Sequence, residues 1–344
     1  MKRGVNLSHW FSQTRLPDYP PNAATAEDMQ LIHSLGLDHI RLPVDPVRLW
    51  EFPGDGPLKP DALRQMDAAI QLALDHDLNV VVDMHPRPDF KEQLENDPAT
   101  FQSFLKMWKE LATHLAQYDA DRLALEILNE PMVKDLEKWQ TMVEQLHGAI
   151  RRAAPKHTII IGGGEWSSTE MLCHLVPVDD PNVVYTFHFY EPHVFTHQGT
   201  GWGEPAWVKL KGVPYPLEKE QGVKMLEGIS DDDARAVFRD HIDQQWDAGK
   251  IKDRLGGAAA WAEEHGVAIW CGEFGVYRTY ANPVDRARYL QDLRMALEHC
   301  GIGWAMWDYK GSFSLLEEGS TPSKVDEPIA EALGLPAMKG SNSK

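Results

Sequence analysis

A (β/α)8 barrel is the fold class predicted by this 344-residue sequence, and three features predict it. Eight short apolar runs recur along the chain, at 4–7, 39–42, 79–84, 123–128, 158–161, 183–189, 267–271 and 303–307. Several of them are continuous and do not alternate, as in strands buried on both faces. Segments of helical period lie between them. Strand then helix, repeated eight times, describes βαβ units with parallel strands, and a chain of this length accommodates eight in one closed barrel. The competing architecture is an open doubly wound sheet. That fold carries a GxGxxG turn after its first strand, where this chain reads Gly4-Val5-Asn6-Leu7-Ser8-His9.

The elements follow from local pattern. The runs are rich in Val, Ile, Leu and aromatics. Segment 61–76 gathers Leu63, Met66, Ala69, Ile70 and Ala73 on one helical face, and 100–117 gathers Phe101, Phe104, Leu105, Trp108, Leu111 and Leu115. Segments 134–153 and 284–299 read similarly, with helix start signals at Thr25, Asp61 and Asp135. Gly162-Gly163-Gly164 after the fifth run has no GK[ST] and reads as a tight turn. Segment 191–230 is a long connection rich in Gly, Pro and Trp, and connections this long inside a domain are usually functional. Residues 1–337 read as one domain and 338–344 as a disordered tail.

Composition excludes several functions. The formal charge of −18 argues against a nucleic-acid binder and against docking on anionic lipid; it suits a neutral or cationic substrate. No apolar stretch approaches the roughly 20 residues of a membrane helix. Lys2 and Arg3 run straight into 4–7 with no apolar leader segment, and a leader removed earlier leaves the compartment open. The three cysteines show no CxxC spacing. His188, His193 and His197 cluster, but i, i+4 ligands need a helix, and Pro192, Gly199 and Gly201 argue against one. No required metal and no cofactor are therefore expected. The nucleophile elbow GxSxG is absent.

In a barrel, side chains at the C-terminal strand ends share one pocket. The polar residues there are Arg41, Asp83, His85, Asn129, Glu130, His188, Tyr190, Glu191, Glu273, Trp307 and Asp308. Glu130 and Glu273 end opposing strands, each behind an apolar run. A buried Glu is costly unless it is paired or used. Two facing carboxylates push their pKa values apart, so that one holds a proton while the other is ionised. Glycoside hydrolysis requires that division of labour. Asp308 and Glu191 are rivals, each one residue off the inward position of its strand. Singly, either Glu reads almost as well as half of a structural ion pair, Arg41 with Glu273 for instance. Together, with Asn129 beside one and Trp307 on the next strand, they read as a catalytic pair. On their own, His85, His188 and Tyr190 read as core side chains, and Trp307 as filler of the barrel mouth or as a stacking platform.

Asn129-Glu130-Pro131 and Gly272-Glu273-Phe274-Gly275 resemble the signatures of glycoside hydrolase family 5, the cellulase family of clan A. The resemblance extends over most of the chain through eight positions in order: Arg41, His85, Asn129, Glu130, His188, Tyr190, Glu273 and Trp307. It implies a retaining glycosidase in the (β/α)8 fold, with residues 1–337 as the catalytic domain. Glu130 would be the general acid/base, and Glu273 the nucleophile that forms a covalent glycosyl-enzyme. Arg41 and Tyr190 would hydrogen-bond Glu273, and His188 would tune Glu130. Asn129 would bind the sugar 2-hydroxyl, His85 another hydroxyl of the reacting sugar, and Trp307 would stack beneath that sugar. Retention predicts carboxyl groups roughly 5–5.5 Å apart, against roughly 6.5–9.5 Å for inversion.

The same resemblance implies an endo-β-1,4-glucanase acting on cellulose-type or mixed-linkage glucan. The mechanism would be unchanged on β-mannan, xyloglucan or β-1,3-glucan. A non-catalytic carbohydrate-binding barrel is the alternative of another class, and the presence of both Glu residues disfavours it. Trp10, Trp50, Trp166, Trp202, Trp207 and Tyr277 lie near strand ends or loops of the active face; as a group Trp10, Trp202 and Trp207 are expected to carry further sugars, although singly each reads better as ordinary loop packing. The expected partner is β-glucan polysaccharide or oligosaccharide, with no nucleic acid and no membrane, and the protein is expected to be a monomer. The expected location is extracellular or periplasmic, because polymeric glucan lies outside the membrane; a cytoplasmic enzyme acting on imported oligosaccharides is the alternative.

Overall fold

The computed structural model describes residues 1–13, 23–321 and 323–337, so the tail expected at 338–344 lies outside the described residues. Eight parallel strands close a barrel in chain order. They are β1 Arg3–Asn6, β2 His39–Val44, β3 Asn79–Met84, β4 Leu123–Glu126, β5 Thr158–Gly162, β6 Val183–Phe189, β7 Ala268–Phe274 and β8 Gly303–Met306, with β8 pairing back onto β1. The expected (β/α)8 barrel is the observed fold. Among the described residues, no helix is long and apolar enough to cross a membrane.

Helix signals acted largely as read. Thr25 caps Ala26–Ser34 with a reciprocal capping box, and Asp135 caps Leu136–Ala153. Asp61 does not cap: Pro60 occupies the first turn of Pro60–Leu74, Lys59 is the cap residue, and Asp61 lies within that turn. The apolar faces of Pro60–Leu74, Pro98–Leu115 and Pro283–His299 are buried in the shell between helices and barrel.

Strand alternation decides what fills the barrel. Val81, Ala124, Ile160, Trp270 and Ala305 form an apolar cluster of their own. Two residues further along the same strands, on the same face, stand Asp83 and Glu126, which are paired in register. An apolar floor therefore supports a polar layer at the C-terminal mouth.

β7 departs from the expected run, extending through Glu273 and Phe274. It pairs Phe187 with Cys271 and His188 with Glu273, so Gly272 is an extra residue between them. Strict alternation from Trp270 would turn Gly272 inward and Glu273 outward. The bulge restores Glu273 to the inward face beside His188. A Cβ on Gly272 would meet Thr186 Oγ1 at 2.8 Å and His188 Nε2 at 3.3 Å. This is the physical reason for glycine before Glu273.

The connection after β6 is not a bare loop. It folds into His193–Thr196, Pro205–Lys209, Lys219–Glu227 and Asp232–Gln244, around a separate apolar core of Val194, Ala206, Leu210, Val213, Leu217, Ala234, Phe238 and Ile242. The helix argued against at His193 does form, as a single turn in which the His197 N–H donates to the His193 carbonyl. Pro192 serves as its cap residue, a position where proline is tolerated, and the glycines fall beyond its end.

Gly275 follows β7 directly, and a Cβ there would collide with the carbonyl oxygen of Trp307. Gly275→Ala should lose about 1–3 kcal/mol, measured as a lower midpoint of urea unfolding, together with activity, because the displaced backbone carries Trp307.

Candidate active site

Arg41 on β2 is fully buried at the centre of the polar layer. Its Nε and Nη2 donate to the two oxygens of Glu126 at 2.7 and 2.8 Å. Nη1 donates to Glu273 Oε1 at 2.6 Å and Asn6 Oδ1 at 3.0 Å. Nη2 also reaches Asn129 Oδ1 at 2.9 Å and Asp83 Oδ2 at 3.0 Å. One guanidinium thus ties β1, β2, β3, β4 and β7 together. Burial opposes its charge, but Asp83, Glu126 and Glu273 overcome that and hold its pKa above the ordinary value. Three carboxylates around one cation leave an excess of negative charge. Accordingly, burial pushes Asp83 up to about 6 against the pull of Arg41, and raises Glu126 as well.

This network orients the groups facing the mouth. Burial pushes His85 down to about 3, so the ring is neutral. With Nδ1 donating to Asp83 Oδ2 at 2.9 Å, Nε2 is left to accept from Asn129 Nδ2 at 3.3 Å. Asn129 is therefore held at both ends of its amide. Glu273 receives Arg41 at one oxygen and the Tyr190 hydroxyl at the other, 3.0 Å away.

Glu130 sits just past β4 with φ 45°, a left-handed backbone costing on the order of 1 kcal/mol for a non-glycine residue. His188 Nδ1 lies 2.9 Å from its Oε1 and 3.6 Å from Glu273 Oε2. Lys91 Nζ lies 3.7 Å from its Oε2. Burial pushes the Glu130 carboxyl up, but the His188 hydrogen bond and the charges of Lys91 and His188 prevail and pull it down. His188 moves oppositely: burial lowers it, while Glu273 and Glu130 raise it above its ordinary value. The pair is placed to share one proton, and the opposite directions of the two shifts favour His188 as its holder. Ligand atoms of Glu130, His188 and Glu273 lie within 4.8 Å of one another. That is close enough to hold a cation, at the expense of the His188–Glu130 hydrogen bond.

Arg41, His85, Asn129, Glu130, His188, Tyr190, Glu273 and Trp307 thus converge at one mouth. Trp307 is only 7% exposed, and His85 stacks on it with centroids 5.5 Å apart. The further aromatics divide. Trp202 is exposed and packs edge-on against Tyr277. Trp10 is buried against Phe11, and Trp50 is buried, its Nε1 donating to Ser103. Trp207 stacks on His193, nearly parallel at 5.4 Å, and packs on His197 and Gly203. Trp10 and Trp50 spend their apolar area inside the fold, whereas Trp207 is half-buried. Asp308 is buried, bonded to the Ser8 hydroxyl and pushed up by burial to about 6. Glu126 and Lys91 escaped sequence reading. Alternation with Ala124 was the available signal for Glu126; Lys91 had none, because it belongs to a helix.

A (β/α)8 barrel with two close carboxylates at its C-terminal mouth has the site of a glycoside hydrolase. The chain belongs to the cellulase family, glycosyl hydrolase family 5, whose model matches residues 3–312. It is 29% identical to Endoglucanase C of Acetivibrio thermocellus over 330 residues, covering 93% of this chain and 95% of that protein. Among solved structures, it resembles the cellulose synthase subunit Z of Clostridioides difficile with a TM-score of 0.79 and 26% identity, covering 97% and 99% of the two chains. It also resembles Cel5A of Thermotoga maritima in complex with cellobiose, with a TM-score of 0.78 and 26% identity over 96% and 97%. The protein is a glycoside hydrolase.

Asp83 binds its proton more tightly in the folded state, since its pKa of about 6 lies above the ordinary 3.8. Its contribution to stability is complete below about 3.8 and is lost as pH rises through 6. Between these limits wild-type stability should fall by on the order of 3 kcal/mol relative to Asp83→Asn. Urea unfolding of both proteins across this range measures it, and parallel curves would refute the assignment.

Proposed function

We propose that this protein is a retaining endo-β-1,4-glucanase. The observation that carries the reading is that one carboxylate oxygen of Glu130 and one of Glu273 lie within 4.8 Å of each other. Retaining glycosidases hold their carboxyl groups at roughly 5–5.5 Å, whereas inverting ones leave roughly 6.5–9.5 Å for a water. In the first step Glu273 attacks C1 of the sugar while the leaving oxygen takes a proton from Glu130. The bond from C1 to the leaving oxygen breaks, and a glycosyl ester forms on Glu273. In the second step Glu130 takes a proton from water, which attacks C1 and frees Glu273.

The proton lies within reach of Glu130 before the first step, on His188 Nδ1 at 2.9 Å. Sugar entering the mouth displaces water, and the lost solvation disfavours the charged His188–Glu130 pair relative to the neutral one. The proton then moves onto Glu130 and on to the leaving oxygen. Arg41 and Tyr190 hold Glu273 with one oxygen on each donor, which aims the carboxylate and limits its motion. Asn129, fixed by Arg41 and His85, is positioned for the 2-hydroxyl of the reacting sugar. Trp307 is the surface for that sugar, and Trp202 with Tyr277 is a platform further along the cleft.

β-1,4-Glucan is the preferred substrate in this reading, because the chain covers nearly the full length of a relative named an endoglucanase. Cel5A of Thermotoga maritima has also been solved in complex with mannotriose, which makes β-mannan the second reading. A polymeric substrate implies action outside the cell membrane.

Glu130→Gln and Glu273→Gln should each lower kcat at least about a thousandfold, with little change in unfolding midpoint. Azide should partly restore Glu273→Ala and yield an α-glycosyl azide. Near-full activity in either Gln variant would falsify the assignment. Reducing-sugar release should be greatest on barley β-glucan and carboxymethylcellulose; greater release on glucomannan or galactomannan would keep the mechanism and replace the substrate.

A further inference from the structure

We propose that Lys91 is a positioning residue for the acid/base: its ammonium holds the Glu130 oxygen that His188 does not use, and sets the alkaline limit of the first step. The inference rests on Glu130 being the acid/base and adds a residue that no strand end supplies.

Lys91 belongs to the helix Pro88–Asn96, which follows β3. Its neighbours Phe90 and Leu94 pack into the apolar shell, yet Lys91 is turned inward with them and is only 4% exposed. A buried ammonium is unfavourable unless anions compensate it. Burial lowers its pKa from the ordinary value, and Glu130, Glu273 and Asp83 oppose that. Nζ stands 3.7 Å from Glu130 Oε2 and 5.1 Å from the centre of the Trp166 ring. Trp166 is fixed in turn, its N–H donating to the Pro131 carbonyl at 2.8 Å with φ at 64°. The residue after Glu130 thus holds the backbone of Trp166, whose half-exposed ring lies against the Lys91 ammonium.

Several charged or titratable groups surround Glu130. Asp83 comes from β3 and His85 from the residue after its end, His188 from β6 and Tyr190 from the residue after that strand, His193 and His197 from the following turn, and Glu273 from β7. Arg41 is committed to Glu126, Asp83 and Glu273. Burial lowers His85, His193 and His197, so among the described residues the cations that pull hardest on Glu130 are His188 and Lys91. His188 gives up its proton in the reaction. Lys91 does not, and so it biases the carboxyl throughout the cycle toward the ionised form that the second step uses.

The test is the pH dependence of kcat/KM on barley β-glucan for wild type, Lys91→Met, Lys91→Gln and Lys91→Arg. Loss of the charge makes the His188–Glu130 proton harder to remove. The alkaline limb should therefore move up by about one pH unit in the Met and Gln variants, and stay in place in Lys91→Arg. An unmoved limb in folded Met or Gln protein would overturn the inference. Unfolding of both variants by circular dichroism would also overturn it, by making Lys91 a structural residue. The same series on 2,4-dinitrophenyl β-cellobioside, whose leaving group needs no proton, separates this inference from the reading beneath it. The alkaline limb of kcat/KM should vanish there in wild type; if it persists, Glu130 is not the acid, whatever Lys91 does.

Discussion

The Arg41 guanidinium is the constraint on which the mouth of this barrel depends. It joins side chains from five strands, and each of its partners then orients something else. Glu126 takes a bidentate grip that fixes the plane of the guanidinium. In that plane, one edge meets Glu273 and the other meets Asn129 and Asp83. Asp83 orients His85, His85 closes on Asn129, and His85 also backs Trp307. Removing the cation would leave three buried carboxylates in one layer, a larger penalty than any single contact is worth.

The two glutamates face the same mouth in different surroundings. Glu273 is anchored by groups already bound elsewhere in the barrel wall, Arg41 and Tyr190. Glu130 instead faces two groups that carry protons, His188 and Lys91, on a strained backbone that lifts it past the end of its strand. A nucleophile benefits from rigid aim, and an acid/base from an adjacent proton it can exchange. The difference between the carboxylates is thus built from neighbours, not from the residues themselves.

Much of this was legible in the sequence, and the rest was hidden for identifiable reasons. Continuous apolar runs identified the strands because both faces of a barrel strand are covered. The run ending at 271 was cut short because the Gly272 bulge breaks the period-two pattern, although the same glycine is what returns Glu273 to the inside. Glu126 looked like part of an ordinary strand, since a single acidic residue among Leu and Ile reveals no partner. Lys91 lies 39 positions from Glu130 on a helix whose spacing points to packing, so only the three-dimensional arrangement brings it to the site. The tryptophans near strand ends could not be sorted from sequence, because an aromatic ring has the same composition whether it faces sugar or core. Trp202 is open to solvent and Trp207 is half-buried, while Trp10 and Trp50 fill space within the fold.

The spacing of Glu130 and Glu273 makes a single stereochemical commitment, and proton NMR of a cello-oligosaccharide digest reads it within minutes of mixing. The first product should carry its new reducing end as the β-anomer, with the α-anomer growing in only as mutarotation proceeds. An α-anomer formed first would mean that water, and not Glu273, attacks C1, and the double displacement built on this pair of carboxylates would have to be abandoned.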